Sequence, residues 1–260
     1  MTNKLEAVFG TASPVALVTG SGSPRLGNAV VRSLAERGYR IAIHAYRSTQ
    51  SAEQTATELR SQGTDAFVAS GDIRCEHQVR ELVRRANEHF GRIDVLVNCA
   101  AVWTPQRLED VSAEEVRHNF DVNTLGTFLC CQQVGLLMVK QTQGGAIVNV
   151  GDWATARPYL DYPAYFPSKG AIPTMTRDFA VELASRNPRV RVSAILPGPA
   201  MIPDGLPKAD QEAAIDLNLL KRAGSPQYVA DAVVFLAEHE FITGVCLPVD
   251  GGRSIYSPTQ

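Results

Sequence analysis

Val15-Ala-Leu-Val-Thr-Gly-Ser-Gly-Ser-Pro-Arg-Leu-Gly27 reads as a strand, a glycine-rich turn and the start of a helix that continues amphipathically to Arg37. Glycine in such a turn lets the backbone come close to a pyrophosphate at the helix N-terminus, where free N–H groups and the helix dipole favour negative charge. Turns of this kind also occur in proteins that bind nothing, so the stretch decides the fold before it decides a ligand. Outward from it the same unit repeats. Short β-branched-rich runs lie at Arg40–His44, Ala66–Ala69, Ile93–Val97, Ala146–Val150 and Val190–Ile195, with longer amphipathic pieces at Ala52–Ser61, His77–His89, Ala113–Lys140 and Ala164–Ser185. The alternation predicts an α/β fold, a Rossmann-type doubly wound parallel sheet with helices on both faces. No linker, repeat or low-complexity stretch divides the chain, so a single domain is expected over residues 1–260.

With 260 residues, 45% hydrophobic and 20% charged residues and a net charge of -2, the chain has ordinary soluble composition and enough length to bury a full core. Near-neutral charge without a Lys/Arg run leaves no footprint for nucleic acid or a membrane surface. No apolar run marks a signal peptide or a spanning helix, and a cytoplasmic location is expected. Cys75, Cys99, Cys130, Cys131 and Cys246 form no Cys-x-x-Cys pair and read as reduced thiols, and no metal is called for.

The chemistry is expected in Asp152-Trp-Ala-Thr-Ala-Arg-Pro-Tyr-Leu-Asp-Tyr-Pro-Ala-Tyr-Phe-Pro-Ser-Lys169. Tyr165 and Lys169 stand one helical turn apart on the same face, where the ammonium would favour the phenolate and lower its pKa. A tyrosine so tuned acts as a general acid or base. The spacing alone is weak, because a solvated helix face also carries Tyr-x-x-x-Lys. At the end of the second strand, His44-Ala-Tyr-Arg-Ser48 offers no acidic residue for a ribose 2'-hydroxyl. Arg47, Ser48 and Arg25 would hold a 2'-phosphate instead, which predicts NADPH rather than NADH.

Thr19-Gly20 with Gly27, Asp72-Ile73 after the third strand, Asn98-Cys-Ala-Ala101, Asn123, Tyr165 with Lys169, Pro197-Gly198 and Ile242–Gly252 follow one another as the motifs of the short-chain dehydrogenase/reductases do, and the chain resembles that family along nearly its whole length. The resemblance implies about seven strands, a small-molecule substrate, and a dimer or tetramer packed through the long helices. It assigns the cofactor to Gly20, Arg25, Leu26, Gly27, His44, Tyr46, Arg47, Ser48, Asp72, Ile73, Asn98, Ala100, Tyr165, Lys169, Pro197 and Gly198. Catalysis falls to Asn123, Asp152, Tyr165 and Lys169, with Asn123 keeping a relay water beside the lysine.

Asp152 stands where the family normally has a serine. In this it is similar to pteridine reductases, as are His44-Ala-Tyr-Arg-Ser48 and Arg25-Leu-Gly27. Trp103 falls where those enzymes keep an aromatic residue that stacks on the pterin. A pterin-like substrate, held by Arg25, Trp103, Asp152 and Tyr165, is the leading expectation. The alternatives are reduction of a ketone or 3-oxoacyl thioester, and a non-catalytic NADP(H)-binding sensor, against which the retention of Asn123, Tyr165 and Lys169 argues.

Some features depart from the family. The first turn is one residue long and stiffened by Pro24, and Pro199-Ala-Met-Ile202 lacks the usual threonine. Pro167 places the helix start close to Ala164, and Pro173 predicts a kink or a bound water inside the helix. Residues 199–222 are expected to cover the substrate. Tyr165→Phe is expected to lose turnover while keeping NADPH affinity; unchanged turnover in a steady-state assay would remove the phenol from the chemistry.

Overall fold

Seven parallel strands, β1 (Val15–Thr19), β2 (Arg40–Ala45), β3 (Ala66–Ser70), β4 (Val95–Asn98), β5 (Gly145–Val150), β6 (Val190–Pro197) and β7 (Cys246–Val249), pair in the order β3-β2-β1-β4-β5-β6-β7. The computed structural model describes residues 4–201 and 207–256. The order reverses between β1 and β4, where Thr19 pairs with Asn98. Ligands in open α/β sheets bind outside the carboxyl ends of the strands at such a switch point.

Nine helices are described: α1 (Lys4–Phe9), α2 (Leu26–Glu36), α3 (Thr49–Ser61), α4 (Glu76–Phe90), α5 (Ala113–Asn119), α6 (Gly126–Met138), α7 (Tyr165–Ala184), α8 (Lys208–Asp216) and α9 (Pro226–Glu238). Side chains alternate across a strand, so β1 sends Ala16 and Val18 into the core beneath α1, α2, α3 and α9. Val15 and Leu17 enter the opposite core, beneath α4, α6 and α7. Both faces of the sheet are thereby covered, and β1 is buried along its whole length. Among the described residues, no helix is long and apolar enough to cross a membrane, and all five cysteines are free.

Two helical features differ from the sequence expectation. The long helix expected over Ala113–Lys140 is interrupted by a π-helical turn, Phe120–Leu125, whose wider spacing no simple periodicity reveals. α9 was not marked, although Ser225 caps it by accepting from Gln227 N at 3.2 Å and Pro226 opens it. α7 begins at Tyr165 as expected and runs on past Pro173 to Ala184. The proline withholds a donor from the Lys169 carbonyl. Buried Ile172, Met175 and Thr176 hold both halves of the helix on the sheet. Of the residues expected to cover the substrate, 202–206 lie outside the described residues; the remainder carries α8.

The opening turn depends on Gly20. Its φ is +63°, and a Cβ there would stand 2.5 Å from the Ala100 Cα. Gly20→Ala is expected to cost about 2 kcal/mol or more in chemical denaturation, since the left-handed backbone alone costs roughly 1–3 kcal/mol for a residue with a Cβ. Wild-type stability in this variant would show that the turn can relax.

Candidate active site

β5 ends at Val150 and α7 begins at Tyr165; the connection between them carries Asp152 back to the start of α7. Tyr165 Oη donates to Asp152 Oδ2 at 2.8 Å. Asp152 Oδ1 accepts from Ala154 N at 2.8 Å, so the carboxyl caps a 3-10 turn, Trp153–Thr155, while aiming its second oxygen at the phenol. One turn along α7, Lys169 is 2% exposed and donates Nζ to the Val150 carbonyl at 2.8 Å.

Burial decides the protonation of all three groups. It raises the Asp152 carboxyl above its ordinary value, against the hydrogen bonds from Ala154 and Tyr165 and the charge of Lys169. It lowers Lys169 to about 8, against the pull of Asp152. It raises Tyr165, and the negative charge and acceptor oxygen of Asp152 raise it further. The expectation that Lys169 lowers the Tyr165 pKa is thereby corrected: the ammonium is hydrogen-bonded to Val150, and the phenol is held protonated against Asp152.

The π-helical turn directs Asn123 fully into the interior. Its Oδ1 accepts from Val102 N at 2.9 Å, and Nδ2 donates to the Val102 carbonyl at 3.1 Å and to Ser168 Oγ at 2.9 Å. Both amide protons are therefore spent on protein partners. Asn123 fixes the chain just before Trp103 and, through Ser168, the first turn of α7.

At the switch point, Gly20 lies against Ala100, and the N–H groups of Cys99 and Ala100 both donate to Thr19 Oγ1 at 3.1 Å. A Cβ on Gly27 would stand 2.7 Å from the Gly20 carbonyl oxygen. Arg25 occupies the cap position of α2 in an extended conformation and makes no side-chain cap hydrogen bond. The cradle therefore presents close backbone and a helix N-terminus without a side-chain cap, which fits a pyrophosphate. Ser48 packs beneath it, 2.7 Å from where a Cβ on Gly22 would stand. Pro197 and Gly198 end β6, with Gly198 N donating to the Val249 carbonyl at 2.9 Å.

Several residues assigned to the cofactor turn their side chains inward. His44 Nδ1 accepts from Gly20 N at 3.0 Å, so the ring proton sits on Nε2, which donates to the Gly71 carbonyl at 2.9 Å. Burial lowers its pKa and keeps it neutral, and it acts as a brace beneath the turn. Asn98 Nδ2 donates to Asn149 Oδ1 at 2.9 Å in the interior of the sheet. Ile73 packs against Gly126 in the core beneath α4, α6 and α7, and Leu26 packs at the edge of the opposite core. Asp72, also assigned to the cofactor, is gripped by Arg74 at 2.6 Å, which holds its carboxyl below the usual range. Arg74 was not singled out; two residues past Asp72 in a turn at the sheet edge, it was visible only as one more surface arginine. With Arg47 it flanks the Tyr46 ring, the guanidinium carbons lying 5.2 Å (Arg47) and 5.6 Å (Arg74) from its centroid.

Trp103 is 49% exposed and stacks on Tyr162 at 5.1 Å with 9° between planes, so one indole face is already occupied. Tyr159 packs edge-on against Tyr162 and lies over Trp153, with centroids 5.2 Å and 6.1 Å away respectively. A cavity of about 800 Å³ borders Tyr159, Tyr162 and Phe166 without reaching Asp152 or Tyr165.

A family model described as Enoyl-(Acyl carrier protein) reductase matches residues 24–254. The chain is 34% identical over 254 residues to 3-oxoacyl-[acyl-carrier-protein] reductases of Bos taurus and Homo sapiens, covering 97% of this chain and 99% of theirs. It is 32% identical over 252 residues to a short-chain type dehydrogenase/reductase of Picea abies, covering 92% of each. The chain belongs to the short-chain dehydrogenase/reductase family. The crystal structure of gox2181 superposes with a TM-score of 0.87 at 30% identity, over 97% of this chain and 100% of that one.

For a short-chain dehydrogenase/reductase, the lowered pKa of Lys169 has a measurable consequence. Its folded value of about 8 lies below the 10.5 of a free lysine, so the unfolded chain binds more protons between the two. The burial penalty is full below pH 8 and fades as pH rises to 10.5. The stability of the wild type relative to Lys169→Met is therefore expected to rise across that window in chemical denaturation. A flat difference would place the Lys169 pKa elsewhere.

Proposed function

We propose that this oxidoreductase uses NADPH to reduce a flat, polar bicyclic ring of the dihydropterin class. The observation that carries the reading is the buried hydrogen bond between Tyr165 and Asp152. A buried carboxyl, its affinity for a proton raised by that burial, accepting from a phenol that keeps its own proton puts a proton acceptor and a proton donor side by side. That suits protonation of a ring nitrogen or carbon better than it suits polarisation of a simple ketone. The ring stacks on the aromatic group of Trp103, Tyr159 and Tyr162, whose planar surfaces favour a conjugated bicycle over an aliphatic chain.

The nicotinamide of NADPH, when bound, supplies the hydride. The Gly20–Gly27 turn and the N-terminus of α2 hold its pyrophosphate. Arg25, Arg47, Arg74 and Ser48 take the 2'-phosphate, with Tyr46 as the surface between two of the guanidinium groups. Lys169 holds the ribose, and Tyr165 and Asp152 deliver the proton. Asn123 positions Val102 and Ser168 on either side of the site. Pro197, Gly198 and Ala100 provide backbone around the nicotinamide.

A second reading, reduction of a 3-oxoacyl thioester, is favoured by the relatives named for that activity. There Tyr165 would protonate the carbonyl oxygen while Asp152 holds the phenol. Initial rates of NADPH oxidation with a 7,8-dihydropterin and with a 3-oxoacyl thioester separate the two. The expected result is turnover of the pterin, reduced about 10²–10⁴-fold in Asp152→Ser, the range for loss of a positioned proton donor. Reduction of the thioester alone would overturn the pterin reading; no turnover of either with tight NADPH binding would point to the sensor.

A further inference from the structure

The turn after β7 touches three parts of the fold at once. Asp250 shapes it, with Oδ1 accepting from Gly252 N at 2.9 Å and Oδ2 from Ser254 N at 2.7 Å. From this turn Arg253 lays its guanidinium over the Trp153 ring, 5.1 Å from the centroid. Its Nη1 also donates to the Ala214 carbonyl, in the last turn of α8, at 2.7 Å and to Asn218 Oδ1 at 3.1 Å. Asn218 is buried and donates Nδ2 to the Arg222 carbonyl at 2.9 Å, which fixes the chain leaving α8. Arg157, just beyond the Trp153–Thr155 turn, donates Nη1 to the Arg253 carbonyl at 3.1 Å and also to the Tyr256 carbonyl. The segment that holds Asp152 is thus tied to the C-terminal turn at two points.

A guanidinium is attracted to the negative face of an indole and, being planar, donates hydrogen bonds from its edge while it stacks. Arg253 does both: its face lies over Trp153 and its edge holds α8. Trp153 follows Asp152 directly, and the next residue, Ala154, supplies the N–H that fixes Asp152 Oδ1. The tilt of the indole therefore sets the 3-10 turn, and the turn sets the direction of Oδ2 toward Tyr165. Tyr159 supports the same indole, stacked at 23°.

We propose that Arg253 is a positioning residue for the Asp152–Tyr165 pair, coupling the seating of α8 to the aim of the Asp152 carboxyl through Trp153. This rests on the reading of that pair as the source of the proton. A substrate that settles beneath α8 would then draw Ala214 and Asn218 with it, and Arg253 would carry that movement to the acid.

The test compares Arg253→Met, Arg253→Lys, Asn218→Ala and Asp152→Ser at saturating NADPH, with NADPH affinity and melting temperature measured in parallel. Arg253→Met is expected to lower kcat about 10- to 100-fold, the scale of a small misplacement of a catalytic group, with NADPH affinity and melting temperature unchanged. Arg253→Lys should recover only part of the loss, because an ammonium cannot stack and hold both acceptors, and Asn218→Ala should show a smaller loss in the same direction. In a Trp103→Phe background, where Trp153 is the remaining tryptophan, Arg253→Met should shift the indole emission. Wild-type kcat or unshifted emission in Arg253→Met would overturn the proposal, as would a kcat loss matched by equal losses of NADPH affinity and thermal stability. Full turnover in Asp152→Ser would instead overturn the reading of the pair, so the two failures are distinguishable.

Discussion

Parallel pairing of β1 with β4 sets Thr19 beside Asn98 and leaves two carboxyl ends open at one place. A sheet covered on both faces has only its edges and strand ends for binding, so the groups that do chemistry must gather there. The pairing is locked by polar contacts beneath the opening. Thr19 Oγ1 takes two backbone N–H groups from the start of the β4 loop. Asn98, Asn149 and Thr176 form a buried chain of hydrogen bonds that runs from β4 through β5 to α7. That chain seats the helix carrying Tyr165 and Lys169 on the same strands that carry the glycine-rich turn. His44 adds a brace from the next strand, holding Gly20 on one side and Gly71 on the other.

Upon this frame the character of the site is set by a carboxyl in a place where a hydroxyl is usual. A serine would leave Tyr165 with Lys169 as its dominant charged neighbour. With Asp152 at hydrogen-bond distance, burial and the nearby negative charge both favour the neutral phenol. The lysine does not reverse this, because its ammonium is turned to the Val150 carbonyl and its own charge is weakened by burial. In the resting pair the phenol therefore keeps its proton and shares it with the carboxyl through the hydrogen bond. Tyr162 and Phe166 pack edge-on against the Tyr165 ring, which is left 5% exposed.

Much of the frame was legible because it obeys local rules. The runs at Val15–Thr19 and Ala146–Val150 announced buried strands by β-branched composition, and Gly20 and Gly27 announced a close backbone approach. The start of α7 beside Ala164 followed from Pro167, which a first helical turn tolerates because its missing N–H has no partner there anyway. Other features depend on distant partners. The π-helical turn at Asn123 exists because Val102 and Ser168, far along the chain, accept and donate to its amide. His44, Asn98 and Ile73 carry the right residue types for a cofactor site, yet their side chains are spent on packing and hydrogen bonds that appear only when strands assemble.

By itself the sequence determined the alternating α/β order, the place of the glycine turn and the one-turn spacing of Tyr165 and Lys169, because strand composition, turn chemistry and helical spacing act over a few residues; Asp152 joined them only through the family resemblance. Only the tertiary structure decided which way the protons lean and which residues support the set. Burial, the 2.8 Å contact between Tyr165 and Asp152, and the reach of Arg253 across to Trp153 all join segments far apart in the chain. Desolvation and hydrogen-bond geometry are properties of the assembled surroundings, and no short stretch of sequence encodes them.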